Sequence, residues 1–419
     1  MNIPDWLRIV RDDLERLRHD HLYRERRTVK PVDATHVEIE GRTYVNFASN
    51  DYLGLTHHPR VIEAAAAALR RDGAGSGAAP LITGYGPAHA AAEAALARWK
   101  GTESAVLLSS GYQANAAAVQ TLAAIGERSA ERRGGVRFLL DKFCHASLVD
   151  AVRASSRPFR VVPHNGLSKL RRLLEESDPN ELQVVVTESV FSMDGDTADL
   201  PGLAELKRDR PFVLLLDEAH GSGVYGPNGS GYAAELGLQE QVDVTIVTLS
   251  KALGCAGGAV CAAEAFCEAV VNYGRPYVYS TALPPSVAAG AEAAIRVLGE
   301  EPQRQAGLRD LASRVRSELR AAGLALPEGD SPILPVILGA EATALDAADR
   351  LRREGLLTLA IRPPTVPKGS SRLRITLSAE HSEEDVHRLI RALEDLPRPA
   401  TLGEAGEGRS PEARETATE

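Results

Sequence analysis

Lys251 lies in the run Val247-Thr248-Leu249-Ser250-Lys251-Ala252-Leu253-Gly254 and carries a primary amine. Asp217 stands 34 residues before it. It ends the apolar run Phe212-Val213-Leu214-Leu215-Leu216 and opens Asp217-Glu218-Ala219-His220-Gly221. An amine condenses with an aldehyde to form an imine, and a carboxylate beside a pyridine nitrogen favours its protonated form. A strand-end carboxylate followed by a lysine in a Ser/Thr-Lys-Gly context is the pair that pyridoxal 5'-phosphate (PLP) requires.

Such a cofactor also needs N–H donors for its phosphate, which a helix start supplies. Ser109-Ser110-Gly111-Tyr112-Gln113-Ala114-Asn115 follows an apolar run and opens a helical pattern, making Gly111 and Tyr112 the candidate donors. A glycine-led helix start alone is a weak signal; the lysine gives it weight. His220, three residues after Asp217, is placed to hydrogen-bond the cofactor's phenolic oxygen. His145, in Asp141-Lys142-Phe143-Cys144-His145-Ala146-Ser147, follows another strand end and is placed to lie on the ring face. A lone histidine is more often structural; two histidines at separate strand ends beside this lysine weaken that reading. Two other patterns are set aside. Asp-Glu-Ala-His spells a helicase box, but the chain has no Gly-x-x-x-x-Gly-Lys-Ser/Thr loop. Gly221-Ser222-Gly223-Val224-Tyr225-Gly226 fits a dinucleotide fingerprint without the strand-to-helix setting.

These residues need a scaffold. The 419 residues allow a large domain and a smaller one, and 44% apolar with 25% charged residues is ordinary for a globular protein. A net charge of −9 argues against general nucleic-acid binding. No apolar run has membrane-spanning length and the N-terminus does not read as a secretory signal, so the expected location is cytoplasmic. Cys144, Cys255, Cys261 and Cys267 have neither zinc-ligand nor disulfide-framework spacing; reduced structural thiols and no metal site are expected.

The pattern predicts an amphipathic helix over 5–27 and a small hairpin from Val37-Glu38-Ile39 and Tyr44-Val45-Asn46-Phe47. Alanine-rich helices follow at 61–71, 88–99 and 113–125. Between helices stand short apolar strands at 105–108, 137–140, 184–187, 213–216 and 244–247. Such strands imply an α/β fold with a mainly parallel sheet covered on both faces, and ligands gather beyond the carboxyl ends of its strands. A long helical stretch to about residue 323 leads to an α+β part with strands at 333–338 and 372–377 and helices near 343–354 and 382–395. The expected division is 1–57, an N-terminal helix and hairpin; 58–290, a large cofactor-binding domain; 291–398, a smaller α+β domain; and 399–419, a disordered tail.

Taken in order, several runs resemble the α-oxoamine synthases, PLP enzymes of fold type I. They are Asn50-Asp51-Tyr52-Leu53-Gly54-Leu55, His145-Ala146-Ser147-Leu148, Thr187-Glu188-Ser189-Val190-Phe191-Ser192-Met193-Asp194-Gly195-Asp196, Asp217-Glu218-Ala219-His220-Gly221, Thr248 with Lys251, and Tyr279-Ser280-Thr281. The likeness covers about residues 20–397. It implies that Lys251 holds the cofactor and moves the proton, Asp217 pairs with the pyridine nitrogen, His220 meets the phenolic oxygen and His145 stacks on the ring. It further implies that Gly111, Tyr112, Glu188, Ser192 and Thr248 surround the cofactor. Asn50 and Arg374 would hold the amino-acid carboxylate, and Arg24 and Thr365 would contact the acyl substrate. Family members are homodimers with shared active sites, so Thr281 would reach the cofactor phosphate of the neighbouring subunit.

Within the family, Ala360-Ile361-Arg362-Pro363-Pro364-Thr365-Val366-Pro367 and Ser371-Arg372-Leu373-Arg374-Ile375-Thr376-Leu377 resemble the members that join L-alanine to a pimeloyl thioester, carried on coenzyme A or a carrier protein. Gly75-Ser76-Gly77-Ala78-Ala79-Pro80-Leu81-Ile82-Thr83-Gly84 departs from the family pattern near the acyl channel. It leaves open another member of the family, condensing glycine or serine with a different acyl-CoA. A non-catalytic protein of the same fold is disfavoured, because no position essential to the chemistry is lost.

Overall fold

The computed structural model describes residues 6–128, 135–327 and 329–396. The tail expected over 399–419 lies outside the described residues. The N-terminal helix α1 (Trp6–His19) stops well short of residue 27. Three and four positions beyond Leu17 stand Asp20 and His21, so no apolar side chain continues the stripe, and the chain turns at His21 with φ 58°. The expected hairpin forms from β1 (His36–Ile39) and β2 (Arg42–Asn46).

The central sheet has seven strands: β3 (Ser104–Leu108), β4 (Val136–Asp141), β5 (Phe159–Val162), β6 (Leu182–Glu188), β7 (Val213–Asp217), β8 (Val244–Thr248) and β9 (Gly258–Ala262). Their spatial order is β3-β9-β8-β7-β6-β4-β5. Neighbours from β5 to β8 pair parallel, and β9 alone runs against its neighbours β3 and β8. Alternate residues serve the two faces. Phe138, Leu140, Val184, Val186 and Leu215 pack with Ala114, Ala118 and Leu122 of α2 (Gly111–Arg128). Leu139, Val185, Leu214 and Leu216 pack on the other side with Leu170, Leu203 and Leu206. Both faces are therefore dry, which is why these strands read as unbroken apolar runs.

Two strands of this sheet carry no such run. β5 is an edge strand whose Arg160 and Val161 face solvent. β9, Gly-Ala-Val-Cys-Ala, is made of smaller residues and begins with a glycine where α2 starts against it. A Cβ on Gly258 would come within 2.6 Å of the Gly111 backbone nitrogen.

The long helical stretch is two helices, Pro285–Glu300 and Pro302–Ala321. Pro302 lacks an N–H and cannot continue a helix, but it fits the first position of a new one. Beyond them β10 (Ile333–Gly339), β11 (Leu359–Ile361) and β12 (Ser371–Thr376) form an antiparallel sheet with β12 in the middle. The short strand Leu356–Leu357 pairs parallel with β2, joining the N-terminal hairpin to the C-terminal part. Among the described residues no helix is long and apolar enough to cross a membrane. All four cysteines are free; three are buried and Cys255 is half-buried.

Candidate active site

The carboxyl ends of β6, β7 and β8 bring acidic and basic groups side by side. Glu188 and Asp217 end adjacent strands in register, and Asp217 is opposite Ile246. Lys251 sits in the turn after β8, and its Nζ lies 2.7 Å from His220 Nε2. Withdrawal from water pushes the Lys251 amine down to about 8, against the opposing pull of Asp217 and Glu188. Burial, then the Lys251 charge, hold the His220 imidazole well below its usual range. An amine lowered this far, beside a neutral imidazole, gives up its proton readily and then takes up an aldehyde as a nucleophile.

Asp217 is buried at 5% exposure. Its Oδ2 accepts from Asn115 Nδ2 at 2.8 Å and its Oδ1 from the Ala219 N–H at 2.9 Å. Asn115 also donates to Ser147 Oγ at 2.9 Å. Ser147 in turn lies 2.8 Å from His145 Nδ1 and gives its backbone N–H to the same nitrogen. His145 caps α3 (Ala146–Ala154) and its ring stays exposed. One network thus orients both the carboxylate and the ring predicted to face the cofactor. Glu188 accepts the His145 backbone N–H, and burial, then the Asp217 charge, push its carboxyl well above the usual range.

The helix start lies where the sequence places it. Gly111 opens α2 against Thr248; a Cβ there would stand 3.2 Å from the Thr248 side chain. Glycine keeps this approach free, and the first-turn N–H groups of Gly111 and Tyr112 have no intrahelical partner by helix geometry. The Tyr112 hydroxyl donates to Asp150 Oδ2 at 2.8 Å, fixing its ring on α3.

Arg374 comes from β12, two residues after Arg372 and on the same face. Arg372 pairs with Asp194. Arg374 Nε donates to Ser192 O at 2.6 Å, Nη1 to Thr376 Oγ1 at 3.0 Å and Nη2 to Asn50 Oδ1 at 3.1 Å. It is 4% exposed, and no acidic side chain among the described residues pairs with it. A guanidinium enclosed without a carboxylate is suited to take one from a ligand. Gly195, at φ +69°, makes the turn that carries Ser192 and Asp194 to β12, and a Cβ on it would meet Ile333 O of β10 at 2.5 Å.

The remaining predicted residues lie apart from this cluster. Thr281 is exposed, on a segment held to the departing 75–84 stretch: Ala282 N donates to Ala78 O at 3.0 Å and Ser76 Oγ to Leu283 O at 2.6 Å. Arg24 and Thr365 are exposed as well, and their segments meet where Arg362 donates to His21 O. The structure adds two residues that the sequence reading left without a role, Asn115 and Tyr52. The Tyr52 hydroxyl is 2.5 Å from His220 Nδ1. Both stand inside runs singled out above, but their partners are 102 and 168 residues away.

The donor set fits PLP: an enclosed amine for the aldehyde, a hydrogen-bonded carboxylate for the ring nitrogen, an exposed imidazole for the ring face and a helix start for the phosphate. A family model for aminotransferases of class I and II matches residues 42–393. The chain belongs to this family and, within it, to the α-oxoamine synthases, PLP-dependent enzymes of fold type I. Several relatives bear the name 8-amino-7-oxononanoate synthase. The protein of Anaeromyxobacter dehalogenans is 44% identical over 406 residues, covering 96% of this chain and 98% of its own. That of Cellvibrio japonicus is 41% identical over 384 residues, covering 91% and 94%. Among solved structures, a serine palmitoyltransferase from S. paucimobilis with bound PLP superposes with a TM-score of 0.85 at 29% identity, covering 94% of this chain and 98% of its own. The 8-amino-7-oxononanoate synthase of Francisella tularensis superposes with a TM-score of 0.71 at 25% identity, covering 84% and 97%.

Proposed function

We propose that the protein condenses L-alanine with a pimeloyl thioester, on coenzyme A or a carrier protein, to give 8-amino-7-oxononanoate for biotin synthesis. A carbon–carbon bond forms between the alanine α carbon and the thioester carbonyl, the thiol leaves, and the alanine carboxylate departs as carbon dioxide. The observation that carries this reading is the enclosed Arg374 guanidinium, without an acidic partner among the described residues, on the same hydrogen-bonded constellation as Lys251. The name shared by relatives that cover 91% and 96% of the chain supports the choice of substrates.

Bound PLP supplies the electron sink for charge that develops at the amino-acid α carbon. The chain's own residues do the rest. Arg374 and Asn50 hold the alanine carboxylate and so orient the α C–H. The Lys251 amine, whose burial makes it a weaker base than an ordinary lysine, removes and returns the α proton. Asp217, steadied by Asn115, keeps the pyridine nitrogen protonated, and His220 donates to the phenolic oxygen. His145 covers the ring and hydrogen-bonds oxygen that becomes negative during condensation. Gly111, Tyr112, Glu188, Ser192 and Thr248 enclose the cofactor, and Arg24 and Thr365 receive the acyl substrate.

The protein acts as a homodimer in the cytoplasm, with Thr281 completing the neighbour's phosphate site. Ile82 and Tyr279, 74% and 72% exposed on the two tied segments beside Thr281, support a surface that a second copy covers. Residues 58–290 form the cofactor-binding domain and 291–398 the smaller one. The test is product mass: enzyme, PLP and pimeloyl-CoA incubated separately with L-alanine, glycine and L-serine. Product from glycine or serine alone would instead favour the other condensation open to this family.

A further inference from the structure

Tyr52 is fully buried, yet its hydroxyl touches the reactive end of the site. Its Oη lies 2.5 Å from His220 Nδ1, and the other nitrogen of that ring lies 2.7 Å from Lys251 Nζ. The positive charge of Arg374 also acts on this hydroxyl, and Asn50 Oδ1 is 3.5 Å away.

Hydrogen counting fixes the arrangement. A tyrosine hydroxyl has one hydrogen to give, and arginine, which only donates, offers no acceptor for it. At 3.5 Å Asn50 Oδ1 is a poor acceptor, whereas His220 Nδ1 is within bonding distance. Tyr52 therefore donates to Nδ1. A neutral imidazole has a single N–H, which must then sit on Nε2 and point at Lys251. An N–H facing Nζ is satisfied by the lone pair of a neutral amine and opposed by an ammonium.

We propose that Tyr52 is a positioning residue that fixes His220 as the Nε2–H tautomer and thereby favours the neutral form of the Lys251 amine. The proposal rests on Lys251 being the cofactor's amine, and it is independent of which acyl thioester is used. Burial pushes the Tyr52 hydroxyl up to about 12, so it keeps its hydrogen at working pH. The same Nε2–H is the donor that the cofactor's phenolic oxygen needs, so one tautomer serves the enzyme with and without PLP. The other charges facing Lys251 are Asp217 and Glu188, which favour the ammonium, and Arg374, which opposes it. His145 and Arg374 also bear on His220.

Removing the hydroxyl in Tyr52→Phe frees His220 to move its hydrogen to Nδ1. Nε2 then accepts from the Lys251 ammonium, and the lysine pKa rises by about one to two units. Two measurements test this. In the cofactor-free protein labelled with 15N-histidine, with the His220 signals assigned from His220→Gln, wild-type Nδ1 should appear as an acceptor nitrogen and Nε2 as N–H. A wild-type Nδ1–H would overturn the proposal whether or not any variant folds. The rate of PLP attachment to the same protein should rise with pH through a midpoint near 8. In Tyr52→Phe, with folding checked by circular dichroism, that midpoint should move up by about one to two pH units. An unmoved midpoint would break the link from Tyr52 to the amine. Borohydride fixation and peptide mapping locate the attached lysine. A lysine other than Lys251 would overturn the cofactor reading beneath the proposal, a result distinct from a wrong tautomer.

Discussion

Arg374→Lys is the most informative single substitution in the substrate site. The guanidinium is held in place by Ser192 O at 2.6 Å, Thr376 Oγ1 at 3.0 Å and Asn50 Oδ1 at 3.1 Å. Its planar fork can offer a carboxylate paired N–H groups, which an ammonium cannot reproduce. Losing one charge-assisted hydrogen bond of such a pair costs about 1.5–3 kcal/mol. At 1.4 kcal/mol per factor of ten, the KM for the amino acid should rise about 10- to 150-fold. The KM for the acyl thioester and the affinity for PLP should change little, because Arg374 contacts neither in the proposed arrangement. Steady-state kinetics with each substrate varied in turn, alongside a PLP titration, separates these quantities. An amino-acid KM within about twofold of wild type, in a folded variant that still binds PLP, would remove Arg374 from the carboxylate site.

Three further outcomes follow from the same geometry. Asp217→Asn should still take up PLP but lose about two to three orders of magnitude in turnover; near wild-type turnover would contradict its pairing with the pyridine nitrogen. Asn115→Ala leaves Asp217 Oδ2 without its 2.8 Å donor inside the protein. Urea unfolding should show a loss of about 1–3 kcal/mol together with weaker PLP binding, and unchanged values of both would refute the support role. His164 lies between Asp141 and Asp196, at 3.0 and 2.7 Å, and their hydrogen bonds and charges outweigh burial to raise its pKa to about 9. Its folded pKa is above the unfolded value, so its stabilisation is complete below about pH 6.5 and is lost as pH rises through about 9. The Tm gap between wild type and His164→Gln should therefore shrink from pH 6 to pH 10; a constant gap would mean that the charge contributes nothing.

The sheet was legible where burial on both faces forces an uninterrupted apolar run, as in β6, β7 and β8, and where a polar residue closes the run at the strand end, as Asp217 does. It was illegible where packing demanded the opposite composition. β9 is a short run, Gly-Ala-Val-Cys-Ala, whose Gly258 lies against the start of α2, and its Gly and Ala residues carry little strand signal. The break at Pro302 was written in the chain, but the apolar pattern on either side masked it. In the site, Lys251, Asp217 and His220 could be found because their spacing follows one strand end and the next. Arg374 and Asn50 came only through family resemblance, since no local pattern joins residues 324 positions apart. Tyr52 stands beside Asp51 and Leu53, and Asn115 on the helix that Gly111 opens. What they do depends on which atom their hydroxyl or amide meets across the fold, a fact of tertiary geometry that no sequence period records.

The most direct test of the central claim is the mass of the product formed from pimeloyl-CoA. With PLP and each of L-alanine, glycine and L-serine supplied separately, a species of the mass of 8-amino-7-oxononanoate, formed only with L-alanine and accompanied by free thiol, is the expected result. Product from glycine or serine with none from alanine would contradict the proposed substrate. No product from any of the three amino acids, with either pimeloyl-CoA or a pimeloyl carrier protein, would contradict the proposed condensation itself.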